Sequence, residues 1–397
     1  MGVLSALGPD LDSFREALFA GRSGIRPLTC VAPGALRFPN GAQVDRYDPL
    51  KHFDSKHLSL LDLFAQYAVV AAREAVHRSG LKIDPVRTAI VTGTGGGGQV
   101  STDAGYIDLY QKALPRVNPF TIPRIMANSG ASQISLEFGI RGPVYTVSTA
   151  CSSSNHAIGQ AYWMIRNAVC DAAITGGSEA VFSWGFLKSW EAMRIVSPDT
   201  CRPFSKDRQG LILGEGGAML VLEDYDSAVA RGAHIHAEIA GFGMSSDAHH
   251  VTQPSADGAA LAMTAALHDA DLSPEQIGYI NAHGTGTAAN DATETTAIRS
   301  VFGADADSLH VSSTKSMHGH ALGAAGALEA VAAALALEHG CIPPTANYNE
   351  PDPACNLNVT PNRAQNVFCR YAMSNSFAFG GLNAVLVFRN PALPSAV

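Results

Sequence analysis

The sequence predicts an α/β fold in which buried strands alternate with helices. Short runs of β-branched and aliphatic residues, such as 88–92 and 144–147, are followed by small residues and then by a helix-like pattern. The same alternation returns later in the chain, which indicates two similar halves. The 397 residues also exceed the about 100–150 of a usual domain. We therefore expect largely parallel sheets and two halves, residues 1–240 and 241–397.

The first half opens with a helix predicted at 57–80, where apolar residues recur on one face and Gly80 ends the pattern. The strand at 88–92 leads into a glycine-rich loop, 93–98. Such a loop can cradle phosphate, but no Walker lysine follows, so a tight turn between strand and helix is the better interpretation. The other predicted elements of this half are strands at 144–147, 172–175 and 218–222 and a helix at 155–167.

The second half repeats this rhythm without a low-complexity linker between the halves. Its predicted helices and strands alternate along the chain, and the last helix is rich in alanine. The predicted helices lie at 257–270, 291–301 and 324–338, and the predicted strands lie at 277–281, 309–313 and 384–388.

Composition and charge exclude several classes of protein. The net charge is −8 and no block of like charges occurs, so nucleic-acid binding is not expected. We find no run of about 18 uncharged apolar residues and no signal peptide, so we expect no membrane association. Seven scattered cysteines without a CxxC pair argue against disulfides and structural zinc. These features together predict a cytoplasmic protein.

Cys151 is the strongest candidate for a nucleophile. It follows the strand at 144–147, precedes a predicted helix and has small neighbours on both sides. The positive end of a helix dipole lowers the pKa of a thiol toward the reactive thiolate. The small neighbours leave room for an acyl group and for backbone N–H groups that stabilise an oxyanion. A buried cysteine that only fills space is the alternative.

Two histidine-bearing segments also follow predicted strands. His283 ends one strand and enters a polar turn, and a second turn carries Lys315, His318 and His320 before a helix. Because open α/β sheets build their sites at the carboxyl ends of strands, we expect these side chains to meet Cys151. Metal binding is the weaker alternative, since no HExxH motif or group of carboxylates accompanies the histidines.

Four segments resemble motifs of the β-ketoacyl-acyl-carrier-protein synthases, specifically the type II elongating group. The likeness covers nearly the whole chain, in the order of the family. The segments are TACSSS at 149–154, NAHGTGT at 281–287, STKSMHGHALGAAG at 313–326 and NSFAFGG at 375–381. Residues 199–223, 281–294 and 342–353 look closer still to ketosynthases of nodulation-factor and polyene synthesis. The resemblance implies a thiolase fold, in which two similar halves form a five-layered αβαβα sandwich.

The resemblance also implies a mechanism without a cofactor. Cys151 takes an acyl chain from acyl carrier protein, and malonyl-carrier protein then loses carbon dioxide to give the carbanion that extends the chain by two carbons. His283 and His320 hold the malonyl thioester oxygen as neutral imidazoles. Lys315 orients this site, with Glu294 as its expected partner. His318 is interpreted as a neighbour of the site only.

The family motifs place further residues at the site. The backbone N–H groups of Cys151 and Phe379 form the oxyanion hole, and Phe377 and Phe379 belong to the gating loop. Thr285 and Thr287 hydrogen-bond the phosphopantetheine arm.

Other positions depart from the pattern of the family and predict an unusual acyl pocket. By alignment, Thr102 and Thr121 occupy positions that are often bulky and apolar, and Trp190 replaces a phenylalanine. We therefore expect a pocket of altered depth or polarity.

The partner implied by the resemblance is an acidic carrier protein, and this chain is acidic too. A local basic patch must then provide docking, and Lys56, Arg116 and Arg194 are the candidates. Members of the family are usually homodimers. A heterodimer with a chain-length factor in a polyketide or polyene pathway is the alternative.

Three other functions fit the sequence less well. A chain-length factor itself characteristically lacks the nucleophile, which argues against it here. A thiolase pairs two cysteines with one histidine motif, and a cysteine hydrolase would need its own local signature. The chain also begins at MGVLSALG, where the family has an apolar strand, so either this start is late or that strand is missing from a central sheet, and its loss would cost stability.

Overall fold

The computed structural model describes residues 1–45 and 47–393. Its strands fall into two large sheets and two short two-stranded ribbons. In chain order, the strands are β1 Gly2–Ser5, β2 Arg26–Pro27, β3 Asn40–Gly41, β4 Thr88–Gly93, β5 Val144–Val147, β6 Ala172–Glu179, β7 Gly216–Glu223, β8 Glu238–Ser246, β9 Ile277–Asn281, β10 His310–Ser312, β11 Cys341–Ile342, β12 Asn358–Val359, β13 Gln365–Asn366, β14 Tyr371–Ala378 and β15 Leu382–Arg389.

The α-helices alternate with these strands. In chain order, they are α1 Leu11–Phe19, α2 Ser55–Leu58, α3 Leu63–Ser79, α4 Gln99–Tyr106, α5 Thr121–Ile125, α6 Ser129–Phe138, α7 Ser153–Arg166, α8 Trp184–Met193, α9 Tyr225–Ala230, α10 Ala256–Asp269, α11 Ala288–Phe302, α12 Lys315–His318 and α13 Ala325–His339. Short 3₁₀ turns at Ala150–Ser152 and Leu322–Ala324 directly precede α7 and α13.

The two large sheets share one topology. The first has the order β1-β7-β6-β4-β5, and the second has the order β8-β15-β14-β9-β10 with β12 added at its edge. In the first sheet, β6, β4 and β5 pair parallel, whereas β1, β7 and β6 pair antiparallel. In the second sheet, β14, β9 and β10 pair parallel, whereas β8, β15 and β14 pair antiparallel. The repeated topology supports the duplication that the sequence rhythm predicts. The boundary at residue 240 falls within β8 and stays a prediction.

Helices cover both sheets and fill the space between them. The helices α3 and α6 pack on the outer face of the first sheet, and α10 packs on the outer face of the second. The helices α7 and α13 contact each other between the sheets, α7 against β4 and β6 and α13 against β14. This arrangement is the five-layered αβαβα sandwich of the thiolase fold.

The predicted elements at 88–92, 144–147 and 277–281 appear as β4, β5 and β9 with little or no change of boundary. The prediction of largely parallel sheets is wrong in part, because β7, β15 and their partners pair antiparallel. The sequence patterns did not predict β8, and they indicated a functional motif and a turn, rather than a strand, where β14 lies. Both are strands whose identity depends on pairing with distant partners.

The expected loss of the first strand is also wrong. Residues Gly2–Ser5 form a fully buried strand that pairs antiparallel with β7. This strand lies at the edge of its sheet, where α3 packs on it, and it occupies the position that β8 holds in the second sheet.

One segment of the described chain, Leu322–His339, is long and apolar enough to cross a membrane by length and composition, although it contains Glu329 and Glu338. In the fold, 89% of this segment is buried. It contains α13, whose alanine and leucine side chains pack between the two sheets. Its apolar character is therefore that of a core helix.

The central layer depends on close approach between α7 and the second sheet. A Cβ atom added to Gly159 of α7 would lie 2.3 Å from ring atoms of Phe242 in β8. We predict that Gly159→Ala lowers the free energy of unfolding by about 1–3 kcal/mol, since overpacking strains a filled core. Urea denaturation measures the change.

Gly105→Ala is the matched control, because its added Cβ in α4 meets nothing within 4 Å. We expect it to raise the free energy of unfolding by about 0.5–1 kcal/mol through reduced chain entropy. Equal effects of the two substitutions would contradict the close packing of Gly159 against Phe242.

Candidate active site

Cys151 lies in the sharp turn that joins β5 to α7. The preceding residue, Ala150, has a φ of +51°, a left-handed conformation that alanine rarely adopts. Ser153 stabilises this turn, since its Oγ accepts from the Thr149 N–H at 2.9 Å and donates to the Ala150 carbonyl at 2.6 Å. The turn places the Cys151 thiol, which is buried, at the first turn of the central helix.

The polar residues after Cys151 join the two halves. Ser154 Oγ donates to the carbonyl of Gly323, in the turn before α13. Asn155 Nδ2 donates to the carbonyls of Ser374 in β14 and Ala384 in β15, at 3.1 and 3.3 Å. The segment after the cysteine therefore positions the nucleophile relative to both sheets.

His320 lies opposite the thiol, with Nε2 3.1 Å from Cys151 Sγ. Its backbone is held by the segment before β7, because the His320 N–H donates to Ile212 and the His320 carbonyl accepts from Gly214. Burial, and then the charge of Lys315, hold the pKa of His320 well below its usual range. The imidazole is therefore neutral.

His283 is the second imidazole of the site, with its ring centroid 5.4 Å from that of His320. Lys315 Nζ lies 2.7 Å from the His283 carbonyl oxygen and 3.3 Å from His283 Nδ1. A lysine donating to Nδ1 leaves the ring proton on Nε2. Burial, and then the charge of Lys315, lower the pKa of His283 well below its usual range, so this ring too is neutral.

The expected pairing of Lys315 with Glu294 is wrong. Lys315 forms its ion pair with Glu329 of α13, and both side chains are fully buried. Glu294 instead accepts from the backbone N–H groups of His283 and Gly284, each at 2.8 Å, and from Asn375 Nδ2 at 3.2 Å. Glu294 thus fixes the loop of His283, whereas Glu329 fixes the lysine.

His318 uses both ring nitrogens within its own segment. Nδ1 lies 2.8 Å from the Gly319 carbonyl, and Nε2 lies 2.9 Å from Thr314 Oγ1. Burial, and then the charge of Lys315, lower the pKa of His318 to about 3. These contacts agree with the interpretation of His318 as a structural neighbour.

One cavity of about 270 Å³ brings the predicted residues together. Cys151, His283 and His320 share its wall with residues of the predicted gate and of the predicted arm-binding turn. The other predicted residues on its wall are Trp190, Thr285, Thr287, Phe377 and Phe379.

The gate residues contact the reactive groups directly. The backbone N–H of Phe379 faces the Cys151 thiol and acts to lower its pKa, and the Phe377 ring lies 6.0 Å from the His283 ring. The Phe379 ring stacks on Trp190 with centroids 6.3 Å apart. A thiol, two neutral imidazoles and a backbone N–H therefore converge on one point, which is the arrangement needed for acyl transfer.

The sequence patterns of known families agree with this geometry. The β-ketoacyl synthase N-terminal domain matches residues 1–228, and the β-ketoacyl synthase C-terminal domain matches residues 236–349. The chain belongs to the β-ketoacyl synthase family. It is an acyltransferase-type condensing enzyme.

Relatives and solved structures cover the whole fold of the synthase. Nodulation protein E of Rhizobium sp. (strain N33) is 47% identical over 98% of this chain and 97% of its own. The 3-oxoacyl-[acyl-carrier-protein] synthase 2 of Staphylococcus aureus is 40% identical over 98% of this chain and 99% of its own. The solved ishigamide ketosynthase/chain length factor superposes with a TM-score of 0.94, at 39% identity, over 98% of this chain and 97% of that chain.

Thr102 and Thr121 do not line the cavity that contains Cys151. Thr102 lies in α4 and donates to the Gly98 carbonyl, and Thr121 begins α5 and donates to the Asn118 carbonyl. Both hydroxyls are thus used locally, and the predicted pocket role of these residues stays a prediction.

The three predicted docking residues of the synthase are exposed. Lys56 lies in α2, Arg116 lies in the loop before α5, and Arg194 follows α8. Only Arg194 has sequence neighbours on the wall of the Cys151 cavity, Met193 and Ile195.

Sequence reasoning missed two buried carboxylates. Glu329 is the one charged residue within the buried stretch of α13, and a lone charge in an apolar helix is a signal that could have identified it. Glu179 ends β6 and accepts from the N–H groups of Gly95, Gly96 and Gly323 at 2.6–3.0 Å. The glycine-rich loop therefore surrounds a carboxylate of its own chain, in agreement with the tight turn rather than phosphate binding.

The structure reverses the expected pKa shift of the nucleophile. Burial raises the pKa of Cys151 to about 12, although the charge of Lys315 and the Phe379 N–H act to lower it. The helix N-terminus therefore does not create a resting thiolate. The free enzyme holds a neutral thiol beside a neutral imidazole.

This reversal predicts the pH dependence of alkylation. Between pH 7 and 9, the rate of reaction of Cys151 with iodoacetamide should rise about 100-fold, because the thiolate fraction still grows tenfold per pH unit. A free thiol with a pKa of about 8.5 gains only about 25-fold over the same range. Mass spectrometry of the peptide that contains Cys151 gives the rate, with glutathione as the comparison. A plateau below pH 8 would show a stabilised thiolate.

Proposed function

We propose that the synthase extends an acyl chain held on Cys151 by two carbons taken from malonyl-acyl carrier protein. The observation that carries this proposal is the convergence of Cys151, His283 and His320 on one cavity, with 3.1 Å between the thiol and His320. Two neutral imidazoles beside one thiol suit a reaction that stabilises an enolate, since each offers an N–H to an oxygen.

In the first step, the Cys151 sulfur attacks the acyl thioester of the carrier protein. The new C–S bond forms at Cys151, the old C–S bond breaks, and the proton of Cys151 passes to the leaving thiol of phosphopantetheine. The backbone N–H groups of Cys151 and Phe379 stabilise the tetrahedral oxyanion. The Phe379 N–H already faces the Cys151 thiol in the resting site, which supports this assignment.

In the second step, the malonyl thioester loses carbon dioxide. The electron pair of the broken C–C bond becomes an enolate, whose oxygen accepts from Nε2–H of His283 and of His320. The carbanion attacks the acyl-Cys151 carbonyl, the C–S bond to Cys151 breaks, and the thiolate that leaves takes a proton from solvent water to restore the thiol. Lys315 acts as a positioning residue, because its contact with His283 Nδ1 keeps the proton on Nε2.

Thr285 and Thr287 are proposed to contact the phosphopantetheine arm. Their hydroxyls lie 2.9 Å apart on the wall of the cavity. Arg194 stands beside residues of the same wall, which suits docking of an acidic carrier protein there, with Lys56 and Arg116 as further contacts. The seven cysteines are all unpaired, which supports our inference that the enzyme works in the cytoplasm.

A specialised acyl chain is favoured over housekeeping fatty-acid synthesis. Identity to nodulation protein E is 47%, against 40% for a 3-oxoacyl-[acyl-carrier-protein] synthase 2. Trp190 and Phe379 stack on each other in the wall of the cavity, so these two rings border the space that is open to an acyl chain beside Cys151.

The acyl site is completed by a second subunit in this proposal. The segment that carries Thr102 and Thr121 also exposes a run of large apolar side chains, which water does not favour. They are Tyr106, Tyr110, Leu114, Val117, Phe120, Ile122 and Met126. The partner is a second copy of this chain or, as the alternative, a chain-length factor like that of the ishigamide structure.

We predict that acyl-carrier protein acylates the enzyme on Cys151. After incubation with acyl-carrier proteins of varied chain length, intact-protein mass spectrometry should show one acyl adduct on the wild type and none on Cys151→Ala. Addition of malonyl-carrier protein should release a chain two carbons longer. Cys30→Ala, at an exposed thiol, is the matched control and should acylate normally. An adduct on Cys151→Ala, or none on the wild type, would refute the mechanism.

We also predict that the protein dimerises through the exposed apolar side chains of residues 106–126. Ile122, which is 63% exposed, belongs to this segment, and Ile122→Asp would place a charge in the proposed interface. We expect light scattering to give a dimer for the wild type and a monomer for Ile122→Asp. The control is Leu261→Asp, at an equally exposed position on α10. A monomeric wild type that dimerises only with a chain-length factor would favour the alternative.

A further inference from the structure

Three potential metal ligands meet outside the cavity that contains Cys151. They lie where the connection between the two halves passes the C-terminal end of α13. His234 and His236 belong to the segment just before β8, and Glu338 lies in the last turn of α13. The ligand atoms of these three side chains all lie within 4.8 Å of one another. None of them takes part in the proposed mechanism.

The local geometry is that of a chelate. His234 and His236 are separated by one residue in the loop before β8. His234 Nε2 lies 2.8 Å from Glu338 Oε1, and His236 Nδ1 lies 2.6 Å from Glu338 Oε2. The two rings meet edge to face with centroids 4.5 Å apart. Two imidazoles thus already share one carboxylate.

The position of the cluster favours a cation. Glu338 lies in the last turn of α13, where the unpaired carbonyls of a helix carry partial negative charge.

We propose that His234, His236 and Glu338 form a binding site for Zn²⁺ or a similar divalent transition metal. Two histidines and one glutamate are a known ligand set for zinc, and the softer imidazoles disfavour Mg²⁺ and Ca²⁺. Ligands of a tetrahedral zinc ion at its usual bond lengths lie about 3.3 Å apart. The present N–O contacts need to open by only about 0.5–0.7 Å, and His234, which is 65% exposed, is free to move.

The ion completes its coordination from solvent. His234 and His236 line a surface cavity of about 260 Å³, so water or a small ligand reaches this side of the cluster. Bound metal joins the segment of residues 234–236 to α13. That segment lies at the junction of the two matched domains, which end at 228 and begin at 236.

Titration of the purified, untagged chain with ZnCl₂ tests the site. The background is Cys30→Ser with Cys151→Ala, which removes the exposed thiol and the thiol beside His320. Calorimetry should give one Zn²⁺ per chain, and the melting temperature should rise with Zn²⁺ and return with EDTA. MgCl₂ at the same concentration should leave the melting temperature unchanged.

Variants locate the ion. In this background, His236→Ala and Glu338→Gln should each weaken Zn²⁺ binding at least tenfold and abolish the thermal shift. His268→Ala, at an exposed histidine of α10, is the matched control and should bind as before. Circular dichroism without metal confirms that each variant is folded. Absence of 1:1 binding, or equal binding by both variants and the control, would overturn the proposal.

Discussion

The close approach of the first turn of α7 to the turn before α13 is the constraint on which the site depends. Ser154 Oγ in α7 donates to the carbonyl of Gly323 in that turn. A Cβ atom added to Gly177 of β6 would lie 2.1 Å from Ser154 Oγ, and one added to Gly323 would lie 2.1 Å from the backbone nitrogen of Gly95 in the glycine-rich loop. Only glycine fits such contacts. Because these turns meet, Cys151 from one half reaches His320 from the other, and a single site arises at the junction of two similar units.

Buried charge holds this junction in register. Glu179 binds backbone N–H groups of the glycine-rich loop and of the turn before α13, Glu294 binds the backbone of the His283 loop, and Glu329 pairs with Lys315. A buried charge without partners is costly, so each carboxylate restricts its surroundings to the arrangement that satisfies it.

The same burial determines the chemistry of the resting enzyme. Burial keeps the imidazoles of His283 and His320 neutral and raises the pKa of the Cys151 thiol, so the cavity holds no thiolate before substrate binds. In our interpretation, the N–H groups that stabilise negative charge are already in place, and charge develops only when substrate enters. Lys315 is the one cation at this centre in the part of the chain that the structure describes, and it lies behind His283.

The sequence by itself determined the reactive groups and the types of those elements that have a clear local pattern. Runs such as 144–147 and 277–281 become strands because alternation and β-branching are local properties, and the motifs around Cys151, His283 and His320 name the chemistry. Only the tertiary structure decided that Glu329 pairs with Lys315, that β14 and β15 pair antiparallel, and that the pKa of Cys151 rises. Burial and partner choice depend on residues far apart in the chain, and no local pattern records them.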